Sequence, residues 1–191
     1  GQVIHVDPWR RGDYSGLPQA DLILITHAHS DHLDEQMIAN LRKPSTVILV
    51  PLGAAGRVEG AKVIRNGEKT TIGPFEIAAV PMYNLKRERA PGKPYHLRGE
   101  GNGYVLSYGG FRVYIAGDTE AIPEMRQLRN IDVAFVPMNL PYTMTPEEAA
   151  GGVKAFRPKV VYPYHYRGAD LAAFQKALEG TGIEVRLRDW Y

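Results

Sequence analysis

Leu22-Ile23-Leu24-Ile25-Thr26-His27-Ala28-His29-Ser30-Asp31-His32-Leu33-Asp34 is the stretch on which the reading of this chain turns. Its first four residues are apolar, carry β-branched Ile, and are too few for a helix, so they predict a buried strand. The nine residues that follow hold three of the six histidines and two aspartates. The cluster therefore falls where a strand runs out into a loop, a frequent place for chemistry on a rigid scaffold. In extended backbone, side chains at i and i+2 point the same way, so His27, His29 and Asp31 can share one side. His32 points away unless the backbone turns there, and would then serve a second, neighbouring point. Neutral imidazoles and carboxylates suit borderline divalent ions such as zinc, manganese or iron. One ion takes about four ligands, so this segment can begin two sites and complete neither.

The chain has 191 residues, 44% hydrophobic and 23% charged, which suits one folded domain over 1–191 and argues against disorder. A formal charge of +2 gives no footprint for nucleic acid, and none is expected as a partner. The absence of cysteine excludes disulfides and thiolate metal sites, leaving His and carboxylate as the ligand supply. No apolar run approaches the ~20 residues of a membrane span, so a cytoplasmic protein without a membrane partner is expected. The chain opens on Gly1-Gln2 and enters a strand at once, which leads us to expect a trimmed start with room for an upstream targeting segment.

Before the cluster, Val3 to Val6 predicts a strand ending at Asp7-Pro8. Asp7 is either an orienting partner for a metal-ligating histidine or a turn residue. After it, Met37, Ile38 and Leu41 predict a short helix, with Asp34-Glu35 at its start and Pro44 at its stop. Thr46 to Val50 and Ala61 to Arg65 predict strands, with a helical turn over 52–57 between them. Thr70 to Ile72 and Phe75 to Met82 predict two more. Residues 83–101 lack apolar periodicity and predict a long loop. Its Lys86, Arg87, Arg89, Lys93 and Arg98 suggest either a lid over an anionic substrate or a solvated basic segment. Gly109-Gly110 between Tyr104–Tyr108 and Phe111–Ala116 is a two-residue hairpin signal. Ile122, Met125 and Leu128 suggest a short helix, and Val133 to Met138 a strand. Thr145-Pro146-Glu147-Glu148 is a capping box that opens a helix to about Phe156. Lys159 to Tyr164 predicts a strand, Asp170 caps a last helix, and Ile183 to Leu187 closes the chain.

Asp118, in Gly117-Asp118-Thr119, and His165 both fall just past predicted strand ends, as the first cluster does. If those ends share one edge of layered sheets, they converge with His27, His29, Asp31 and His32. Two metals about 3.5–4 Å apart would be the natural outcome, with Asp118 able to reach both.

His27-Ala28-His29-Ser30-Asp31-His32, the later Gly117-Asp118-Thr119 and His165 together resemble the metallo-β-lactamase-fold hydrolase superfamily. Val80-Pro81-Met82-Tyr83-Asn84, Pro94-Tyr95-His96-Leu97-Arg98-Gly99 and Tyr114 to Thr119 look most like a branch of small metal-dependent hydrolases related to the ascorbate-6-phosphate lactonase group. The resemblance implies an α/β fold, a four-layer αββα sandwich. It implies that His27 and His29 bind one metal, that Asp31, His32 and His165 bind the other, and that Asp118 bridges. Two departures stand out. The superfamily usually places a histidine where this chain has Tyr83-Asn84, so either His96 folds back from the loop or Asn84 serves through its carbonyl oxygen; His96 is the favoured ligand. The family's opening strand pair is mostly absent, so N-terminal edge strands are expected to be missing.

The function implied is a metal-dependent hydrolase with two divalent ions, zinc before manganese or iron. Asp31 and Asp118 are the expected catalytic carboxylates. The substrate is expected to be a small anionic ester, lactone, amide or phosphoester. A nuclease or phosphodiesterase acting on nucleic acid, and a non-hydrolytic metal-binding or redox protein, are the alternatives. His5, inside a strand pattern, is expected to be a packed residue. The sequence leaves the oligomeric state open.

Overall fold

The computed structural model describes residues 1–189. Four strands form the first sheet: β1 (Ile4–Val6), β2 (Ala20–Leu24), β3 (Arg42–Val50) and β4 (Lys62–Val63). They lie in that order and are all parallel. Helix α1 (Glu35–Leu41) crosses between β2 and β3. Asp34 starts it by accepting from the Met37 N–H at 3.1 Å, and Ile38 and Leu41 are its buried face.

The second sheet begins with β5 (Lys69–Ile72) and β6 (Phe75–Met82). A separate small hairpin, β7 (Glu88–Ala90) and β8 (Lys93–Pro94), follows. Then come β9 (Gly101–Tyr108), β10 (Phe111–Ile115), α2 (Pro123–Arg126), β11 (Val133–Pro137), α3 (Pro146–Phe156), β12 (Val160–Tyr164), α4 (Leu171–Leu178) and β13 (Glu184–Val185). The sheet runs β13-β12-β11-β10-β9-β6-β5, antiparallel from β5 to β10 and parallel from β10 to β13.

Alternation along the strands builds the layers. Ile23, Ile25, Ile48 and Val50 pack with Ile38 of α1 on the outer face of the first sheet. Leu22, Leu24 and Leu49 point the other way and meet Ile77, Ala79, Tyr104 and Leu106 of the second sheet. The outward residues of that sheet, among them Val80, Val105, Tyr114, Ala134 and Val161, pack under Met125, Val153 and Phe174 of α2, α3 and α4. Three apolar interfaces thus separate four layers, the expected αββα sandwich. Between the sheets, the Tyr104 hydroxyl donates to the carbonyl of Ile25 at 2.7 Å and fixes β2 against β9.

Several boundaries differ from the expectation. The strand expected over 46–50 starts at Arg42 and runs through Pro44. The register between β2 and β3 slips from Ala20↔Arg42 to Leu22↔Val47, so Pro44 lies in the bulge, where no ladder partner waits for an N–H. The loop expected over 83–101 contains the β7–β8 hairpin, with Gly92 at φ +72 at its turn. Edge strands β4 and β13, paired on one side only, are shorter than read, and the turn over 52–57 is a 3-10 turn at Leu52–Ala54. Gly109 and Gly110 adopt φ +55 and +83, as a primed hairpin turn requires. β1 forms one edge of the first sheet. Among the described residues no helix is long and apolar enough to cross a membrane.

The parallel relationships carry the consequence for chemistry. The C-terminal ends of β6, β10 and β12 lie at one edge of the second sheet, since β6 and β10 both oppose β9. The Asn102 N–H, at the start of β9, donates to the Thr26 carbonyl at 2.8 Å, which brings the C-terminal end of β2 to that same edge.

Candidate metal centre

Each cluster residue follows directly from a strand end. After β2 the chain leaves the ladder and then turns: the N–H groups of His32 and Leu33 both donate to the carbonyl of His29, at 3.0 and 2.8 Å. That turn is what returns His32 to the side of His27, with ring centroids 4.0 Å apart. Asp118 sits beyond β10 behind Gly117, whose φ is +67. A Cβ at Gly117 would stand 2.7 Å from the Met82 sulfur and 3.2 Å from the Thr26 Cβ, so only glycine fits there. His165 follows β12 at φ +48, and Asp7 follows β1 at φ +46. Non-glycine residues seldom hold such backbone, and two of them flank this one site.

All seven sequence-derived ligand candidates come together. Their nitrogen and oxygen atoms fall into three overlapping groups: His27, His29 and His96; His27, His32 and Asp118; Asp31, His32 and His165. His27 Nε2 and His29 Nδ1 are 3.0 Å apart. Asp118 Oδ2 is 3.3 Å from His165 Nε2 and 3.8 Å from His96 Nε2. Its Oδ1 is 3.6 Å from His32 Nε2, while Asp31 Oδ2 is 3.6 Å from His165 Nε2 and 3.7 Å from His32 Nε2. Most of these spacings are too long for hydrogen bonds. They match the edge of a coordination shell: two donors about 2.0–2.2 Å from one tetrahedral ion stand about 3.3–3.6 Å apart. His32 Nε2, His96 Nε2 and Asp118 Oδ1 are buried and have no hydrogen-bond partner. Three such atoms within one cluster are costly unless something charged satisfies them. The donor set, all imidazole and carboxylate, fits a borderline divalent ion.

A surrounding set of bonds fixes the rings. Asp7 Oδ2 is 2.8 Å from His32 Nδ1, and Asp7 also accepts from the Thr26 N–H at 2.7 Å and the Thr26 hydroxyl at 2.5 Å. Asp7 is therefore an orienting partner, the first of the two readings its sequence position left open. His96 folds back from the loop: Asn84 Oδ1 accepts from its backbone N–H at 2.7 Å and lies 2.9 Å from its Nδ1. Asn84 orients this histidine, and its oxygen faces the ring rather than the centre. The Asn84 amide in turn donates to Glu120 Oε1 at 3.2 Å and to the Tyr142 carbonyl at 2.8 Å. Asn139 Nδ2 lies 3.3 Å from His165 Nδ1. Asp34 is occupied elsewhere, gripping Arg10 at 2.6 and 2.9 Å while capping α1. His5 Nε2 meets the Pro18 carbonyl at 3.0 Å, away from the cluster.

Burial and mutual charge set the protonation. Burial pushes the His96 imidazole down to about 4 and holds His27 well below its ordinary 6.5. Burial also lowers His29. For His32 burial acts in the same direction, but the carboxylates of Asp118, Asp7 and Asp31 outweigh it and raise the ring to about 9. Burial would raise Asp118, yet His32, His165 and His27 together hold its carboxyl well below the usual range. Neutral His27, His29 and His96 beside an ionised Asp118 are the state a cation requires, whereas His32 must release its proton to bind one.

The basic loop left two readings open, a lid over an anionic substrate or a solvated segment, and most of its cations are paired within the fold. Lys86 and Arg87 pair with Glu148, the latter at 2.5 Å, and Arg87 also lies 3.5 Å from Glu120. Arg98 pairs with Glu124 at 2.7 Å and lies over the Tyr83 ring. These three charges are matched by glutamates; Arg89 is the loop cation whose field reaches His29. Glu120 was not singled out from sequence, although its place directly after Gly117-Asp118-Thr119 was the available signal. Trp9 and Tyr14, which wall a cleft beside the cluster, left no sequence signal of their own.

Residues 1–165 match the family model described as the beta-lactamase superfamily domain. A UPF0173 metal-dependent hydrolase of Thermococcus onnurineus is 32% identical over 200 residues, 95% of this chain and 87% of the relative. Its counterpart in Polynucleobacter asymbioticus is 29% identical, covering 97% of this chain and 76% of that one. The crystal structure of a candidate metal-dependent hydrolase from Parabacteroides distasonis superposes with a TM-score of 0.92 at 45% identity, over 98% of this chain and 85% of that one. Igni18, a metallo hydrolase from Ignicoccus hospitalis, superposes with a TM-score of 0.78 at 25% identity, over 98% of this chain and 87% of that one.

Proposed function

This chain belongs to the UPF0173 metal-dependent hydrolases of the beta-lactamase superfamily, and from that premise we propose that it hydrolyses an ester, lactone, amide or phosphoester at a centre holding two divalent ions, zinc first among them. The observation that carries the reading is the group of buried, unbonded atoms: His32 Nε2, His96 Nε2 and Asp118 Oδ1. His27, His29 and His96 would hold one ion; Asp31, His32 and His165 would hold the other; Asp118, whose two oxygens face different histidines, would reach both. Divalent ions so held supply Lewis acidity and bring the pKa of bound water toward ~7.

The chain's own residues have separable tasks. Asp7 and Asn84 hold His32 and His96 with Nε2 aimed inward, so imidazole orientation is set before any ion arrives. Asp118, buried and ionised, keeps negative charge at the centre throughout. Asp31 is 39% exposed at its side chain and sits at the solvent edge, so the carboxylate oxygen it does not turn toward His32 and His165 can accept a proton from the reacting water and release it outward. Arg89, acting on the His29 side, favours a substrate carrying an anionic group there.

Hydrolysis of a panel of lactones, aryl esters and phosphodiesters, with zinc and with chelator, tests the reading. Turnover that chelator abolishes and zinc restores is expected. No turnover with zinc, manganese or iron would contradict it.

A further inference from the structure

A cleft of about 510 Å³ adjoins the His32 and His165 end of the cluster. Its walls are Trp9 and Tyr14 from the loop after β1, and Ile115, Phe135 and Tyr164 from β10, β11 and β12. These walls are held in place. The Trp9 N–H donates to the Tyr14 phenol oxygen at 2.9 Å, and the Arg11 guanidinium lies 5.0 Å from the Trp9 ring centroid. Phe135 stacks on Tyr162 with ring centroids 5.2 Å apart and planes 14° apart. The volume is that of a small-molecule site, and mostly apolar walls with a few convergent polar groups are its usual form.

The lining decides what the cleft takes. Among the described residues that line it there is no lysine or arginine, while Asp7 and Asp31 are among them. The charged and ligating groups, Asp7, Asp31, His32 and His165, all lie at the cluster end, and the remaining described lining offers an anionic group no charged partner. A neutral aromatic or branched aliphatic group meets ring faces and gives up only apolar hydration. We propose that this cleft binds the uncharged aryl or branched-alkyl arm of the substrate, with the scissile carbonyl at the edge where Asp31 and His165 meet it. The assignment rests on the hydrolase reading for the position of the carbonyl, and on the cleft alone for the arm. It makes the enzyme selective for esters, lactones or amides with a bulky apolar side, with any anionic group placed on the opposite, His29 side.

Neutral amides test the arm without turnover. Acetamide, phenylacetamide, 3-phenylpropanamide and 4-phenylbutanamide are titrated by heteronuclear NMR into the metal-free and zinc-loaded 191-residue chain. Binding is expected to tighten by about fourfold per methylene until the cleft is filled. Amide shifts are expected at residues 9–14, Ile115 and Phe135 in both forms, and Trp9→Ala is expected to weaken 4-phenylbutanamide at least about tenfold. The length series on the unmutated chain decides the matter even where Trp9→Ala does not fold. Equal affinity for acetamide and 4-phenylbutanamide, or shifts confined to other surfaces, would overturn the proposal. Zinc uptake, measured separately, keeps the two readings apart. Amide binding without zinc uptake overturns the hydrolase reading and leaves the cleft standing; zinc-dependent turnover without preference for an apolar arm does the reverse.

Discussion

Asn84 Oδ1 receives the backbone N–H of His96 at 2.7 Å and lies 2.9 Å from its Nδ1, so one side chain fixes both the position and the orientation of the imidazole. The ring reaches the centre from a loop instead of from a strand end. Asn84→Ala is expected to leave His96 free to turn and to lower zinc affinity about 10–100-fold, the usual effect of removing such a support. Asn84→Asp keeps the acceptor for His96 but turns a carboxylate oxygen toward Glu120 Oε1 and the Tyr142 carbonyl, and is expected to recover only part of it. Competition titration with a chromogenic chelator reads the difference; equal affinity in Asn84→Ala and the parent chain would remove Asn84 from this role.

The metal-free chain carries opposed pH dependences. His96, held at about 4 against an ordinary 6.5, takes up its proton more readily unfolded than folded. Its neutral form therefore favours folding above about 6.5, and that contribution is lost as pH falls toward about 4. His32, raised to about 9, has the opposite sign: its stabilisation is complete below about 6.5 and is lost as pH rises through about 9. Thermal melts of the chelated protein are expected to peak between these limits and decline on both sides. Asp7→Asn removes a carboxylate that holds the His32 proton, and is expected to flatten the alkaline decline.

Gly117→Ala sets a Cβ 2.7 Å from the Met82 sulfur on backbone at φ +67. Strain of this kind costs about 1–3 kcal/mol, and the neighbouring Asp118 is displaced with it. Zinc affinity is expected to fall together with the melting temperature. Unchanged affinity would show that Asp118 holds its place independently of that turn.

Leu24→Ala truncates a side chain with 0% exposure between the two sheets, two residues before Thr26. The expected loss is about 2–5 kcal/mol. Leu85→Ala, at 56% exposure, is expected to stay within about 0.5 kcal/mol. Denaturant melts of both variants check the layer assignment.

The strand-end cluster was legible because its signals are local. Ile25-Thr26-His27 is a strand running into ligands, and the Thr145 capping box opens α3 as the residues require. The alternation of Ile23 and Leu24 onto different interfaces likewise follows from period two. What could not be read was pairing across long separations. Arg87 and Glu148 are 61 residues apart, so sequence left five basic residues as either a lid or a solvated segment when three of them are paired with glutamates. The β7–β8 hairpin has little apolar patterning to announce it, with both β7 and its turn exposed. The aromatic cleft joins Trp9 to Phe135, a proximity set by the sheets and not by either neighbourhood.

Counting ions tests the two-ion centre most directly. Metal-free chain is saturated with zinc, freed of excess, and assayed by elemental analysis beside His96→Ala and His165→Ala. Two ions per parent chain and one in each variant are expected, since each histidine belongs to a different ligand group. Fewer than one ion in the parent chain, or a count that neither variant changes, would contradict it.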